Sequence, residues 1–278
     1  MIDLDKLNTA TKYPSILTYH KMGDKGRLTD EVQVQFDEDE EVVVTEKIDG
    51  TNGRIVYLPA IHRYIIGSRE EFLYGSGDLI FNATYGIVEA LQPVANKYQF
   101  YGTSSDEATH VSMYYFEVFG GKNITRASKQ YSSIGEVGVR IFDVAWFDTS
   151  ILDLSRSEIS IWRQHGGQRF DTEDSLSRTM EQRVSAVAVE GSSLPRSIAD
   201  CLEWMQERYP QTRCLLDPEA GGRPEGVVIR NHDRSKIAKL RFKDYERTLR
   251  FLLPGRTRHY YRGVETKTPD ANQNMLTG

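Results

Sequence analysis

Short runs of β-branched and aromatic residues recur along this chain, each closed by turn residues. They cover 41–45, 54–58, 62–67, 113–119, 139–146, 226–230 and 237–242. Val42, Val43 and Val44 carry the first run, and Pro59 stops the second. Such runs predict strands, because branched and aromatic side chains fit a pleated, half-buried surface. A different period shows at Ile87, Leu91, Val94 and Tyr98, which recur every three to four residues. That spacing predicts a helix, capped by Asn82 and kinked or split by Pro93. A second helix is expected to open at Pro195, with Ile198, Leu202 and Met205 on one face. The stretch 151–190 is polar and irregular and reads as a helical insertion, and 266–278 as a disordered end. No internal repeat is evident. Together these elements predict an α+β fold, antiparallel sheets flanked by helices on their outer faces.

The length of 278 residues suits one large domain or two small ones, and 39% hydrophobic residues supply a core. No apolar run is long enough for a membrane span, and the N-terminal residues form no signal-peptide core, so the expected location is cytoplasmic, with no membrane partner. Cys201 and Cys214 are the only cysteines, too few for a disulfide framework. No Cys/His cluster has zinc spacing, and the six histidines are scattered. A net charge of −5 argues against a chain coated in phosphate-binding charge. Its distribution changes that picture: residues 234–267 hold eleven Lys and Arg against three Asp and Glu, whereas 37–41 is wholly acidic. Nucleic acid has a basic third to engage without the whole chain being basic.

The most reactive constellation follows the first predicted strand, in Glu46, Lys47, Ile48, Asp49, Gly50, Thr51 and Asn52. A lysine at a strand end can act as a nucleophile if its charge is suppressed. Asp49 can hold a divalent cation or a sugar hydroxyl, and Gly50 lets the backbone turn and approach a ligand. Alone, a Lys-x-Asp-Gly pattern is weak, since it fixes three positions. Five further sites follow in order. Arg69 ends a strand, Glu117 sits in an aromatic run, and Phe142 precedes Asp143. Glu225 comes just before a buried-looking strand, and Lys239 and Arg241, two apart, share one strand face.

These six sites, in this order and spacing, resemble the motifs of the covalent nucleotidyltransferase superfamily, which includes polynucleotide ligases and mRNA capping enzymes. The resemblance is closest to ATP-dependent RNA ligases of the phage nick-sealing type and spans residues 10–245. Asn52, five after the lysine, is similar to the RNA-sealing branch, and 12–16 resembles its lead-in segment. The resemblance implies an adenylyltransferase (ATP-grasp-like ligase) domain over 1–245, with no oligonucleotide-binding barrel, then a basic C-terminal helix and flexible tail over 246–278. It implies Lys47 as the nucleophile toward ATP, forming a lysyl-AMP that is passed to a 5′-phosphate and displaced by a 3′-hydroxyl. Phe142 would stack on adenine and Asn52 would address the terminal ribose. Glu46, Ile48, Arg69, Lys239 and Arg241 would line the nucleotide site, the last two neutralising the α-phosphate. Glu117 would bind the ribose or a metal-bound water. Asp49, Glu117 and Glu225 would hold Mg²⁺ (or Mn²⁺), mostly through water. The implied partner is RNA with 5′-phosphate and 3′-hydroxyl ends, a nicked duplex among its forms, and the implied role is RNA repair.

Two departures stand out. The fifth motif of the family is usually lysine-x-lysine; here Arg241 takes the second place and substitutes a fork for a point charge. Only 37 residues follow Arg241, too few for the barrel that DNA ligases and capping enzymes carry, which leads to the expectation of a bare catalytic domain with a basic tail. There Arg247, Arg250, Arg256, Arg258 and Arg262, with Tyr260 and Tyr261, would grip phosphates and stack on bases, or form a solvated helix. A DNA nick ligase, an RNA-capping guanylyltransferase and an inert RNA-end binding module remain the alternatives.

Overall fold

The computed structural model describes residues 2–58, 61, 63–75, 78–80, 86–98, 109–122, 124, 127–179 and 183–252. In chain order the elements are α1 (Leu4–Thr11), β1 (Leu17–Thr18), β2 (His20–Met22), β3 (Leu28–Val32), β4 (Glu41–Lys47), β5 (Thr51–Leu58), β6 (Arg63–Ser68), β7 (Phe72–Gly75) and β8 (Asp78–Leu79). Then come α2 (Ile87–Tyr98), β9 (His110–Gly120), α3 (Ser128–Tyr131), β10 (Val137–Asp148), α4 (Arg156–Gln164), β11 (Arg169–Phe170) and α5 (Glu173–Thr179). The last are β12 (Ala186–Glu190), α6 (Ile198–Arg208), β13 (Gly226–Asn231), β14 (Ile237–Arg241) and α7 (Phe242–Leu252).

Two sheets dominate. One has the order β1-β14-β13-β4-β12, the other β11-β10-β9-β5-β6-β7-β8, and β2 and β3 form a small ribbon. The α+β architecture is as expected, with one parallel pair, β1 beside β14, among antiparallel neighbours. Alternation along the strands sets the layers. In the five-stranded sheet Val42, Val44, Val227, Ile229, Ala238 and Leu240 point to one face, where Leu202 and Met205 of α6 and Tyr245 and Leu249 of α7 cover them. The opposite face carries Thr45, Lys47, Val228, Arg230, Ile237 and Lys239, and it lines a cleft.

The seven-stranded sheet is covered on both faces. Ile55, Ile66, Phe116 and Val118 pack under Ile87 and Leu91 of α2. Val56, Met113, Tyr115 and Ala145 pack under Leu7 and Ala10 of α1 and Ile159 of α4. Asp3 caps α1, Ser155 and Glu158 form a reciprocal capping box on α4, and Ser197 caps α6.

Several elements differ from expectation. Pro93 lies inside a continuous α2, seven residues in, and Asn82 lies outside the described residues. Ser197, not Pro195, opens α6, because its hydroxyl accepts from Asp200 N. The stretch 151–190 is not simply helical. It supplies α4 and α5, but β11 extends one sheet and β12 the other, pairing Ala186–Glu190 with β4. Residue 245, the expected domain boundary, falls inside α7, and Tyr245 and Leu249 sit in one core. Arg247 of α7 pairs with Asp244 at 3.1 Å and Arg250 with Glu246 at 3.8 Å. The other tail cations, Tyr260 and Tyr261, and the end at 266–278 lie outside the described residues.

Candidate active site

The chain crosses from one sheet to the other at the reactive lysine. Lys47 is the last residue of β4, and after Ile48, Asp49 and Gly50 the chain enters β5. Gly50 is needed for close packing: a Cβ there would meet Val118 O at 2.5 Å and Glu117 Cγ at 2.9 Å. Ile48 is buried against Phe119, Tyr131 and Val184 and anchors the crossing. The Asp49 backbone N–H donates to Tyr131 Oη at 2.7 Å.

The crossing leaves a cleft of about 460 Å³ between the sheets, a size suited to a nucleotide-scale ligand. From the five-stranded side come Glu46, Lys47, Glu225, Lys239 and Arg241; from the seven-stranded side come Asn52, Arg69, Glu117 and Phe142. All nine, with Ile48, were named from sequence. Asp49 is not on the cleft wall, although its charge reaches Glu117.

Lys47 Nζ donates to Glu225 Oε2 at 2.6 Å. The backbone fixes this pair: Glu225 N donates to Lys47 O, and Phe242 N donates to Glu225 O, each at 3.0 Å. Lys243 Nζ and Arg241 Nη1 approach the other Glu225 oxygen at 3.6 and 3.8 Å. Burial works to raise the Glu225 carboxyl, but Lys47, then Lys243 and Arg241, outweigh it and hold it below its ordinary value. Lys239 is pulled down by burial first, then by repulsion from Arg241, Lys47 and Arg69. Lys47, Lys239 and Arg241 on one side and Arg69 on the other thus bring more positive charge to the cleft than Glu225 offsets, as an anion site does.

Across the cleft, Glu117 of β9 is half-buried beside Asn52 of β5, its register partner. Burial, resisted by Lys47 and reinforced by Glu225 and Asp49, raises its carboxyl to about 7. Asn52 Oδ1 is buried and accepts from no donor among the described residues. Among the described residues no three His, Cys, Asp or Glu side chains form a metal cage, so Asp49, Glu117 and Glu225 do not make one by themselves. Glu46 differs in another way. By strand alternation its side chain leaves opposite to Lys47, and its buried carboxylate accepts from Thr212 Oγ1 and from Arg213 N at 2.7 Å. Burial, against those donors, raises it.

Phe142 owes its place to a bulge. The β9–β10 register shifts between Ile141 and Asp143, leaving Phe142 as the extra residue. Its ring meets Tyr13 edge-on at 5.1 Å and lies nearly parallel to Tyr115 at 6.3 Å. Behind it lies a network that sequence reasoning missed. Asp143, 1% exposed, pairs with Arg230 at 3.0 Å and Arg234 at 2.7 Å, and accepts from Tyr13 Oη at 2.7 Å. Arg230 also pairs with Glu173 at 2.5 Å, which in turn pairs with Arg183. Arg230 belongs to β13 and Asp143 to β10, so the network ties the two sheets at the rear of the cleft. One signal was available: Arg230 sits in an apolar strand, where a cation needs a partner.

A lysine paired with a glutamate, faced by further cations and an aromatic ring between two sheets, defines a nucleotidyl-transfer type of site. The family model described as RNA ligase matches residues 40–243, and the chain belongs to that family. Among solved structures it is similar to Naegleria gruberi RNA ligase. A lysine-to-alanine mutant with ATP and Mn aligns at 13% identity and TM-score 0.49, covering 84% of this chain and 62% of that one. A glutamate-to-alanine mutant with ATP and Mn aligns at 15% identity and TM-score 0.49, covering 85% and 62%. The chain thus spans about 62% of the length of those structures. No curated protein sequence matches it.

Proposed function

We propose that the chain is an ATP-dependent RNA ligase that seals 5′-phosphate to 3′-hydroxyl ends through an adenylate on Lys47. The observation that carries this reading is the convergence of Lys47, Glu225, Lys239 and Arg241 from one sheet with Asn52, Arg69, Glu117 and Phe142 from the other. The family match supports ligation in general.

In the first step Lys47 Nζ, having lost a proton to water, attacks the α-phosphorus of ATP. A P–N bond forms, the bond to pyrophosphate breaks, and a second amine proton leaves to water. Glu225 Oε2, 2.6 Å away, orients the amine; its depressed carboxyl makes it a fixed acceptor rather than a proton store. Lys239 and Arg241 neutralise the charge that gathers on phosphate oxygens, and positioning of this kind is most of what phosphoryl transfer asks of a protein. The Phe142 ring offers a face for the adenine. In the second step an RNA 5′-phosphate oxygen attacks the same phosphorus, the P–N bond breaks, and Lys47 regains its protons. In the third, the 3′-hydroxyl oxygen attacks the 5′-phosphorus and gives up its proton to water, a phosphodiester forms and AMP leaves. Asn52 Oδ1, lacking a donor among the described residues, is suited to accept from a ribose hydroxyl. Glu117 and Glu225 fit Mg²⁺ or Mn²⁺ held largely through water, since their carboxylates line the same cleft from opposite sheets without forming a cage; when bound, such an ion would offset phosphate charge.

Mass spectrometry of the protein after incubation with ATP and Mg²⁺ tests this. The expected result is an acid-labile AMP on Lys47, and loss of both adduct and ATP-driven sealing in Lys47→Ala. A preadenylylated strand is still sealed by that variant, because the third step does not use the amine. An adduct on another residue, or from GTP alone, overturns the assignment.

A further inference from the structure

A second cationic depression lies outside the cleft, between α1 and α4. It holds about 580 Å³ and is lined by Thr9, Lys12, Arg156, Ser157, Ser160 and Arg163, three cations and three hydroxyls without a carboxylate. Helical spacing gathers them. Residues 156, 160 and 163 step by four and three along α4, and 9 and 12 step by three at the end of α1. Arg163 is only 8% exposed; its Nη1 donates to Thr9 O at 2.6 Å, and its Nε meets no acceptor among the described residues. Beneath it Arg54, fully buried, bonds Asn8 Oδ1 and the Arg69 carbonyl, both neutral acceptors. Burial draws Arg54 down to about 10, and Arg163 adds to that pull against Tyr115 and Glu70. Lys12 pairs with Glu70 at 2.9 Å. Glu158, the nearest acid on α4, is turned back onto Ser155 N at 2.8 Å. Positive charge therefore exceeds negative here, and an anion would offset it.

The depression is continuous with the catalytic cleft along the chain. Lys12 is followed by Tyr13 and Pro14, which line the cleft, and its partner Glu70 follows Arg69 on the cleft wall. Arg69 on the cleft wall and Lys12 in the depression meet the same carboxylate, Glu70, at 3.7 and 2.9 Å, which sets the two sites side by side.

We propose that this depression binds the phosphodiester backbone of the RNA strand whose end occupies the catalytic cleft. The inference rests on the ligase reading above. Lys12, Arg156 and Arg163 supply charge and Ser157 and Ser160 hydroxyl donors, a set that contacts phosphate without reading bases.

The test uses the full chain and single-stranded RNA without a 5′-phosphate, of about 4 and about 16 nucleotides. Arg156 is exposed, so Arg156→Glu leaves the core untouched. The variant is expected to bind the longer RNA about tenfold more weakly, with the slope of log affinity against log salt reduced by roughly 0.7 or more. The shorter RNA, filling only the cleft, shows little of that loss. Lys12→Gln should move the same two quantities in the same direction. Wild-type affinity and slope for the longer RNA in both variants overturns the proposal. So does an effect confined to the KM for ATP, which would assign the depression to nucleotide phosphates. Lysyl-AMP formation by the unmodified protein is read in parallel. Its absence defeats the ligase reading, whereas its presence with flat RNA binding defeats only the backbone site.

Discussion

Glu117 carries an ordinary carboxylate value of 4.5 in the unfolded chain and about 7 in the fold, burial being the main cause. Between those values the folded state binds more protons than the unfolded one. Stability therefore falls as pH rises through that window and levels off above it. Glu117→Gln removes the titration and keeps the shape. Its expected effect is a gain of about 1–3 kcal/mol near pH 8 that vanishes near pH 4, together with loss of sealing. Denaturant unfolding at the two pH values measures it, and a gain that ignores pH would refute the account. Such a trade of stability for activity is common where an active site holds a desolvated acid. At this scale the sequence was informative about which side chains meet. Lys47 and Glu225 lie 178 residues apart yet touch, and both were legible because ordered motifs mark them. Their supports were not legible. Thr212 on Glu46, Tyr131 on the Asp49 backbone, and Arg234 on Asp143 are single polar residues whose partners become visible only once distant strands are placed.

The same limit explains the elements. Strands such as β4, β5, β9 and β13 were readable because branched and aromatic residues mark a pleated surface. The two-residue β11 and the five-residue β12 were not: β11 is too short to carry a pattern, and the Ala-Val-Ala-Val-Glu of β12 lies at the end of a polar, irregular stretch and takes its strand form from the edge of β4. The bulge at Phe142 was likewise hidden, because one extra residue in a ladder changes no composition. What these elements create together is a tie between the sheets, Asp143 of β10 against Arg230 of β13 and the following Arg234. Asp143→Ala would take from Arg234, 8% exposed, the acid it pairs with and leave Arg230, 5% exposed, with Glu173 alone. A loss of about 3–5 kcal/mol is expected, the usual cost of breaking a buried pair from one side. Adding Arg234→Ala should recover part of it, since the uncompensated charge is then removed. Urea midpoints for the single and double variants decide this; a double variant as unstable as the sum of two separate losses would show that the tie is not a unit.

For the whole molecule, the question is where the folding unit ends. The family resemblance implied a boundary at 245, but α7 runs from Phe242 to Leu252 and belongs to the core of the five-stranded sheet. Thr248 Oγ1 accepts from Leu28 N at 2.9 Å, which joins α7 to β3, and Leu249 is buried beside α6. Cutting after residue 245 removes Leu249 and that hydrogen bond. It also frees the start of α7, whose Phe242 N holds the Glu225 carbonyl. Burying a leucine is worth about 1.5–3 kcal/mol and a hydrogen bond about 1 kcal/mol. A chain ending at 245 should therefore be less stable than one ending at 252 by about 3 kcal/mol or more. It should also form lysyl-AMP more slowly, because Glu225 loses its tether. Thermal melts of the two truncations and their rates of AMP labelling test both halves of the argument. Equal melts would place α7 outside the folding unit, and equal labelling rates would show that the Glu225 carbonyl needs no anchor from it.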